Sequence, residues 1–329
     1  MPDYICCGGL RVDYIITAAG RVRLREMGGN ALYAAAGARV WAKQVGLLAR
    51  IGENYPAGWL DELARQRLDV SGVRVVPGRQ DMRTFYAYID PRTRVDTEPA
   101  RHFARAGVPL PDELSDYVHS TPGQDDPTAY EPLAVPPEDF PASYAGARAL
   151  HLSPISIRTH TFLPQHVRSL GVRQVTADPG ERYMVPRLRA QVEILLAQLD
   201  VFMPSEQEVR SLLGAVDLWD AAIEFARHGP PVVVVKVGDR GALVYERDRD
   251  RRTHIPAYPA DVVDTTGAGD TFCGGFMVGL LSTGDPVRAA QFGTVSASFA
   301  IEDYGALCVL HAGRAAAEER LHRLERLCA

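Results

Sequence analysis

A carboxylate at the first turn of a helix, with two glycines just before it, can handle an anion and a proton together. Residues 264–272 supply that arrangement as Asp-Thr-Thr-Gly-Ala-Gly-Asp-Thr-Phe, and Cys273-Gly274-Gly275-Phe276 follows directly. From Phe272 the apolar residues recur at three- and four-residue spacing (Phe272, Phe276, Leu280), the period of a helix. Gly267 and Gly269 let the backbone turn sharply and approach a ligand closely. The free N–H groups of the helix's first turn, together with its dipole, then make an anion site. Asp270 sits in that positive corner. Backbone donors for an anion with an acid beside them suit transfer of a phosphoryl group onto a hydroxyl, the acid taking the hydroxyl proton. The plainer alternative is a Gly-Ala-Gly turn with Asp270 complementing the helix dipole.

The rest of the chain reads as the frame for this turn. Strand-like runs at 4–10 and 12–17 flank Gly8-Gly9, and Asp13 stands among the apolar residues of the second, where a turn or edge role is also open. Gly28-Gly29-Asn30 opens a helix of small residues, 31–38. A buried strand at 45–51, a helix over 56–68, a strand at 149–152, a helix over 159–170 and strands at 172–177, 201–203 and 231–237 continue the chain. Strand followed by helix, repeated, is the pattern of a parallel sheet. The runs 73–76 and 83–89 differ, because no helix separates them; they suit a small exposed sheet. Residues 91–141 hold ten of the 23 prolines and more acids than bases. That composition favours irregular structure, either a disordered loop or an ordered flap over the site.

Composition excludes several functions. The 329 residues are 46% hydrophobic and 23% charged, ordinary for a globular protein with a large core. A net charge of −5 argues against non-specific binding to nucleic acid or anionic membranes. The five cysteines follow no disulfide or CxxC spacing, the first residues lack the pattern of a secretory signal, and no apolar run spans a membrane. These features predict a cytoplasmic protein with small-molecule partners. A Walker motif, GxxxxGK[ST], is absent, which excludes a P-loop kinase.

The 264–275 run closely resembles the signature of the ribokinase-like (PfkB) family of carbohydrate and nucleoside kinases. The resemblance extends from Asp13 to about Gly305, leaving 91–141 outside it. It implies a three-layer α/β/α fold with a central, mostly parallel sheet and a small β lid from residues near 10–24 and 73–90. It also implies transfer of the ATP γ-phosphoryl group to a hydroxyl of a sugar-like substrate. Asp270 would be the base, and Gly267, Ala268 and Gly269 the anion hole. Asp13, Gly28, Gly29 and Asn30 would bind substrate, although Asn30 follows the glycine pair directly where the family spaces it by a few residues. Asp178-Pro179-Gly180-Glu181-Arg182 resembles the family's Asp-Pro-Asn-x-Arg, with Gly180 in place of Asn. Ser205 and Glu208 stand where the family has Asn-x-x-Glu near the metal, so Glu208 would meet Mg2+ through water; Ser205 also suits a helix N-cap. Lys236, Gly238, Gly241 and Thr266 would lie near ATP, while a plain hairpin turn at 238–241 and a solvent-facing Lys236 stay open. Asp264 would hold an activating monovalent cation such as K+, or else form a turn-stabilising Asx bond. The lid leaves a monomer and a lid-paired homodimer both open. Two other readings stand beside the sugar kinase. One is a nucleoside kinase with an aromatic clamp at Phe85 or Tyr86; the other is a non-catalytic sugar- or nucleotide-binding regulator.

Overall fold

The computed structural model describes residues 1–90, 93–120 and 122–328. Pro91 and Arg92, which begin the proline-rich segment, and its Thr121 lie outside the described residues. The strands, in chain order, begin with β1 (Tyr4–Cys7), β2 (Arg11–Ile16), β3 (Val22–Gly28), β4 (Val45–Gly52), β5 (Leu68–Val76), β6 (Arg83–Tyr88) and β7 (Arg94–Val95). They continue with β8 (Ala149–Leu152), β9 (Gln174–Ala177), β10 (Val201–Phe202), β11 (Val232–Lys236), β12 (Ala242–Glu246) and β13 (Arg251–Ile255).

Nine of them form one sheet in the order β13-β12-β11-β10-β9-β8-β1-β4-β5. From β11 to β5 every pairing is parallel, and β12 and β13 add an antiparallel edge. The near-continuous Val232–Lys236 run shows why the sheet has helices on both faces. Val232 and Val234 belong to one apolar core, while Val233 and Val235 belong to the other. A strand buried on both faces needs no polar alternation.

The second sheet has the order β3-β2-β6-β7. The expectation that 73–76 belongs to it is corrected here. Those residues end β5, which pairs in parallel with β4 after the intervening helix Trp59–Arg65. β5 is the edge of the large sheet and leaves Val75 exposed, so it carries the mixed pattern of an outlying strand. The lid also runs past 24, to Gly28, and takes in β7. The expected helix over 56–68 is shorter, because the chain turns into β5 at Leu68.

The proline-rich segment carries more regular structure than its composition suggests. It contains β7, a helix at Pro99–Ala106 opened by proline, and 3-10 turns at Asp112–Leu114 and Pro137–Asp139. Leu133, Ala134 and Val135 are buried, which anchors it to the body. Among the described residues no helix is long and apolar enough to cross a membrane.

Two helices of small residues hold the signature in place. Asn30–Arg39 packs on Ala268–Thr283 so closely that Ala34 meets Gly274, and Gly37 meets Thr271, backbone to backbone. Any larger side chain at 37 or 274 would push the helices, and the loop between them, apart.

Candidate active site

Residues just beyond the C-terminal ends of β1, β8, β9 and β10 converge beneath the lid, the place where open parallel sheets bind ligands. They enclose a cleft of about 540 Å3. Asp13, Gly29, Asn30, Glu208, Thr266, Gly267 and Asp270 line it, so seven residues singled out from sequence come together from distant parts of the chain. Gly28, Ala268, Gly269, Lys236, Gly238, Gly241 and Asp264 do not line it.

Asp13 lies in β2, 2% exposed, and a side chain at Gly28 would overlap its Oδ2. Gly28 therefore acts by making room for the acid. The Gly29 N–H donates to Asp13. Burial, then the charge of Asp264, pushes the Asp13 carboxyl up to about 7 against the pull of Arg11. Asn30 makes two bonds within the chain: Oδ1 accepts from Gly9 N at 2.7 Å, and one N–H of Nδ2 donates to the Pro154 carbonyl. It ties the turn after β1 to the chain after β8, and so builds the cleft wall.

The 264–270 loop is fixed by three devices. Asp264 Oδ1 accepts from Thr266 N at 3.1 Å and from Thr266 Oγ1 at 2.8 Å, so the Asx bond is present. Thr266 in turn meets Tyr88 of the lid, 2.9 Å between hydroxyls. Gly267, with φ +73°, caps the helix in the left-handed region, and a side chain there would run into the Tyr33 ring. Only glycine meets both demands. Asp270 follows in the first helical turn. Burial, then the charge of Asp178, pushes its carboxyl up to about 7, while Lys236 and Arg94 pull it down. The Ala268 N–H is given to the Thr265 carbonyl at 3.3 Å; a carboxyl poised near neutral pH at such a helix N-terminus can accept a proton while the remaining donors hold an anion.

Lys236 is committed elsewhere. Its ammonium pairs with Asp178 Oδ2, lies 3.7 Å from Cys273 Sγ, and would be 3.5 Å from a Cβ at Gly269. It therefore supports the loop from behind. Burial opposes its charge, but Asp178 outweighs that and keeps the ammonium protonated. Gly238 and Gly241 bracket a 3-10 turn, Gly238–Arg240, before β12. Ser205 and Glu208 form a complete capping box on the helix Glu206–Leu213: Ser205 N donates to Glu208 Oε2 at 2.7 Å, and Glu208 N to Ser205 Oγ at 3.2 Å. Burial, then Asp178, raises the Glu208 carboxyl to about 8. Its other oxygen is left by the capping box for a ligand. Among the described residues no group of three or more His, Cys, Asp or Glu side chains could hold a metal by themselves. A hydrated ion held chiefly by phosphates fits that poverty of ligands.

Sequence reasoning offered the proline-rich segment as a loop or a flap over the site and named none of the residues it turns to the cleft. Arg94, Ser120, Gln124, Glu131 and Leu133 all face the cleft, and Asp96 and Asp125 pair with Arg182 and Arg187 across its mouth. No periodicity marks them; an acid-rich segment facing Arg182 and Arg187 was the available signal. Of the two clamp candidates, Phe85 is fully buried against Phe103 and Tyr117 on the far side of the lid, and Tyr86 lines the cleft. The two-residue period of a strand separates them. Arg94 lies over the Tyr86 ring, 4.3 Å from its centroid.

Known proteins share this architecture. The family described as pfkB family carbohydrate kinase matches residues 171–311, the part that contains the signature. A cytidine kinase of Thermococcus kodakarensis is 27% identical over 88% of this chain and 91% of its own length. An E. coli protein assigned as ribokinase II, solved with ATP and Mg2+, superposes with a TM-score of 0.71 at 20% identity, covering 98% of this chain and all of that one. A fructokinase from Vibrio cholerae O395, solved with fructose, ADP and potassium, gives a TM-score of 0.71 at 21% identity, covering 98% of each chain. With its large, mostly parallel sheet flanked by helices the chain has the ribokinase-like fold, and residues 171–311, which hold the signature, match the pfkB family of carbohydrate kinases.

Proposed function

We propose that the protein transfers the γ-phosphoryl group of ATP to a hydroxyl of a sugar or sugar-like acceptor. Asp270 is the general base, and the backbone of Gly267, Ala268 and Gly269 is the anion hole. The observation that carries this reading is the meeting of Asp13, from the lid sheet, and Asp270 in one cleft, with Gly267 opening the helix that carries Asp270. Asp13 binds acceptor hydroxyls, as a carboxylate accepts from two vicinal O–H groups. Asp270 takes the proton of the attacking hydroxyl, and its pKa near 7 suits that task at neutral pH. The first-turn N–H groups hold the charge that builds on the phosphoryl oxygens. Lys236, paired with Asp178, adds positive charge behind Gly269.

Glu208 would hold Mg2+ through water, and the ion would neutralise the β- and γ-phosphate oxygens. Asp264, 4% exposed and raised by burial, suits a monovalent cation such as K+ beside the loop. Gly238 and Gly241 would border the nucleotide from the far side of Lys236.

A nucleoside acceptor is the second reading, favoured by Tyr86 in the cleft and by likeness to the cytidine kinase. A non-catalytic regulator fits less well, because a binder has no need of a neutral-pH base beside an anion hole. The test is ATP consumption with Mg2+ and K+ against sugars, sugar acids, polyols and nucleosides, with wild type and Asp270→Asn side by side. Turnover on one acceptor, lost in the variant, supports the reading. Equal turnover in the variant removes Asp270 as the base, and wild-type ATP binding without turnover on any acceptor favours the regulator.

A further inference from the structure

The hydrogen bonds around Thr266 reach beyond the loop itself. We propose that Tyr88 is a positioning residue that ties the lid to the anion-hole loop, so that the seating of the lid and the shape of the loop are set together. This rests on the kinase reading above.

Tyr88 ends β6 and stands opposite Arg94 in β7. Its hydroxyl lies 2.9 Å from Thr266 Oγ1, and the Thr265 side chain shares it. Thr266 Oγ1 is also 2.8 Å from Asp264 Oδ1. An ionised carboxylate only accepts, so the single hydroxyl proton of Thr266 is given to Asp264. The bond from the lid then runs one way: the Tyr88 O–H donates to Thr266 Oγ1. The chain Tyr88–Thr266–Asp264 is directional, with each hydroxyl used once as donor.

The rest of the loop has no such freedom. Val263 N and Asp264 N donate to the Ile301 carbonyl at 2.7 and 3.3 Å, which fixes one end to the helix Pro286–Ala300. Gly267 is seated against the Tyr33 ring at the other. Thr266, 3% exposed, is the residue between, and Tyr88 is the lid side chain that holds it. A shift at Thr266 passes directly to Gly267, whose left-handed backbone aims the first-turn N–H groups. Those donors serve only if they already point where charge develops, so a small misdirection lowers the rate of transfer more than the binding of either substrate.

Tyr88→Phe keeps the ring and removes only the donor. With the best acceptor, kcat is expected to fall about five- to twenty-fold while both KM values stay within about two-fold and Tm is unchanged. Thr266→Ser, which keeps the hydroxyl, should stay within about two-fold of wild type. Thr266→Val should lose at least as much kcat as Tyr88→Phe, and the double variant should be no slower than Thr266→Val alone, because one chain is broken twice. If Tyr88→Phe has wild-type kcat, or raises acceptor KM alone, the tyrosine is merely part of the lid and the proposal is overturned. Multiplying losses in the double variant overturn it as well. A wild-type protein inert on every acceptor would instead overturn the kinase reading beneath it.

Discussion

Replacing Asp270 by Asn is expected to stop catalysis and, at alkaline pH, to stabilise the fold. Burial, then the charge of Asp178, holds the native carboxyl near 7; in the unfolded chain it titrates near roughly 3.9. The native state thus binds this proton more tightly than the unfolded one. Below about pH 4 both states are protonated and the group contributes nothing. As pH rises through the unfolded value, ionisation favours the unfolded chain, and the penalty is complete above about pH 7. Roughly three units at 1.36 kcal/mol each set a ceiling of about 4 kcal/mol. The amide must still be desolvated, so about half of that, near 2 kcal/mol, is expected as gain. At about 2 °C per kcal/mol for a chain of this size, the variant should melt about 4 °C above wild type near pH 8.5 and about 2 °C below it near pH 4.5, where only about 1 kcal/mol of the penalty has developed. Calorimetric melting at the two pH values, beside the loss of about 10²–10⁴-fold in kcat expected for a missing base, is the assay. A difference in Tm that does not grow with pH, or a variant less stable near pH 8.5, would refute the description of Asp270 as a half-buried, proton-retaining acid.

The same carboxyl should give kcat/KM an acidic limb near pH 7, moving to higher pH in Lys236→Met, which loses a charge that pulls Asp270 down, and to lower pH in Asp178→Asn; an unmoved limb in both would assign it to another group. Gly267→Ala forces a side chain into the left-handed region and onto Tyr33, and should cost more than about 1 kcal/mol in urea unfolding together with most of kcat, whereas wild-type behaviour would show that the loop has room. The pairs Asp96–Arg182 and Asp125–Arg187 are partly exposed, each worth about 0–1 kcal/mol, so Arg187→Asp should raise acceptor KM about two- to five-fold and Asp125→Arg should restore it in the double variant; additive losses would show that the pair does not join the segment to the cleft.

The fold was legible where one physical demand wrote a pattern. The Val232–Lys236 strand announces a sheet covered on both faces because both faces must be apolar. The Gly267-Ala268-Gly269-Asp270 turn is legible because φ +73° against an aromatic ring admits only glycine. Edge strands are less so. Val73 to Val76 reads as a lid strand because no helix parts it from the run at 83–89, yet β5 closes the edge of the large sheet and the chain passes straight from it into the lid. Phe85 and Tyr86 show a different limit: the alternation is plain, but which of the two faces the cleft depends on what packs behind, here Phe103 and Tyr117 from the segment beyond.

Residues held by others were harder still. Asn30, Lys236 and Glu208 have side chains suited to ligands, and sequence gives no sign that Asn30 bonds two backbone groups or that Lys236 pairs with Asp178; only the Ser205-x-x-Glu208 spacing points to the cap that takes one Glu208 oxygen. Their types fit either use; only the geometry distinguishes a residue that builds the site from one that touches what enters it. The acceptor is obscure for a related reason. Its hydroxyls would meet Asp13, which a strand positions, but its far side would meet Ser120, Gln124, Glu131 and Leu133, which sit on a segment anchored by buried Phe103, Leu114, Tyr117 and Val135 and by ion pairs to Arg50, Arg83, Arg182 and Arg187 among others. Those anchors fix the path of the segment, and the side chains it turns to the cleft are other than the anchoring Phe103, Leu114 and Tyr117. On the proposed reading it could change its cleft-facing residues without disturbing the anion hole, so the chemistry would belong to the signature and the choice of acceptor to the segment beside it.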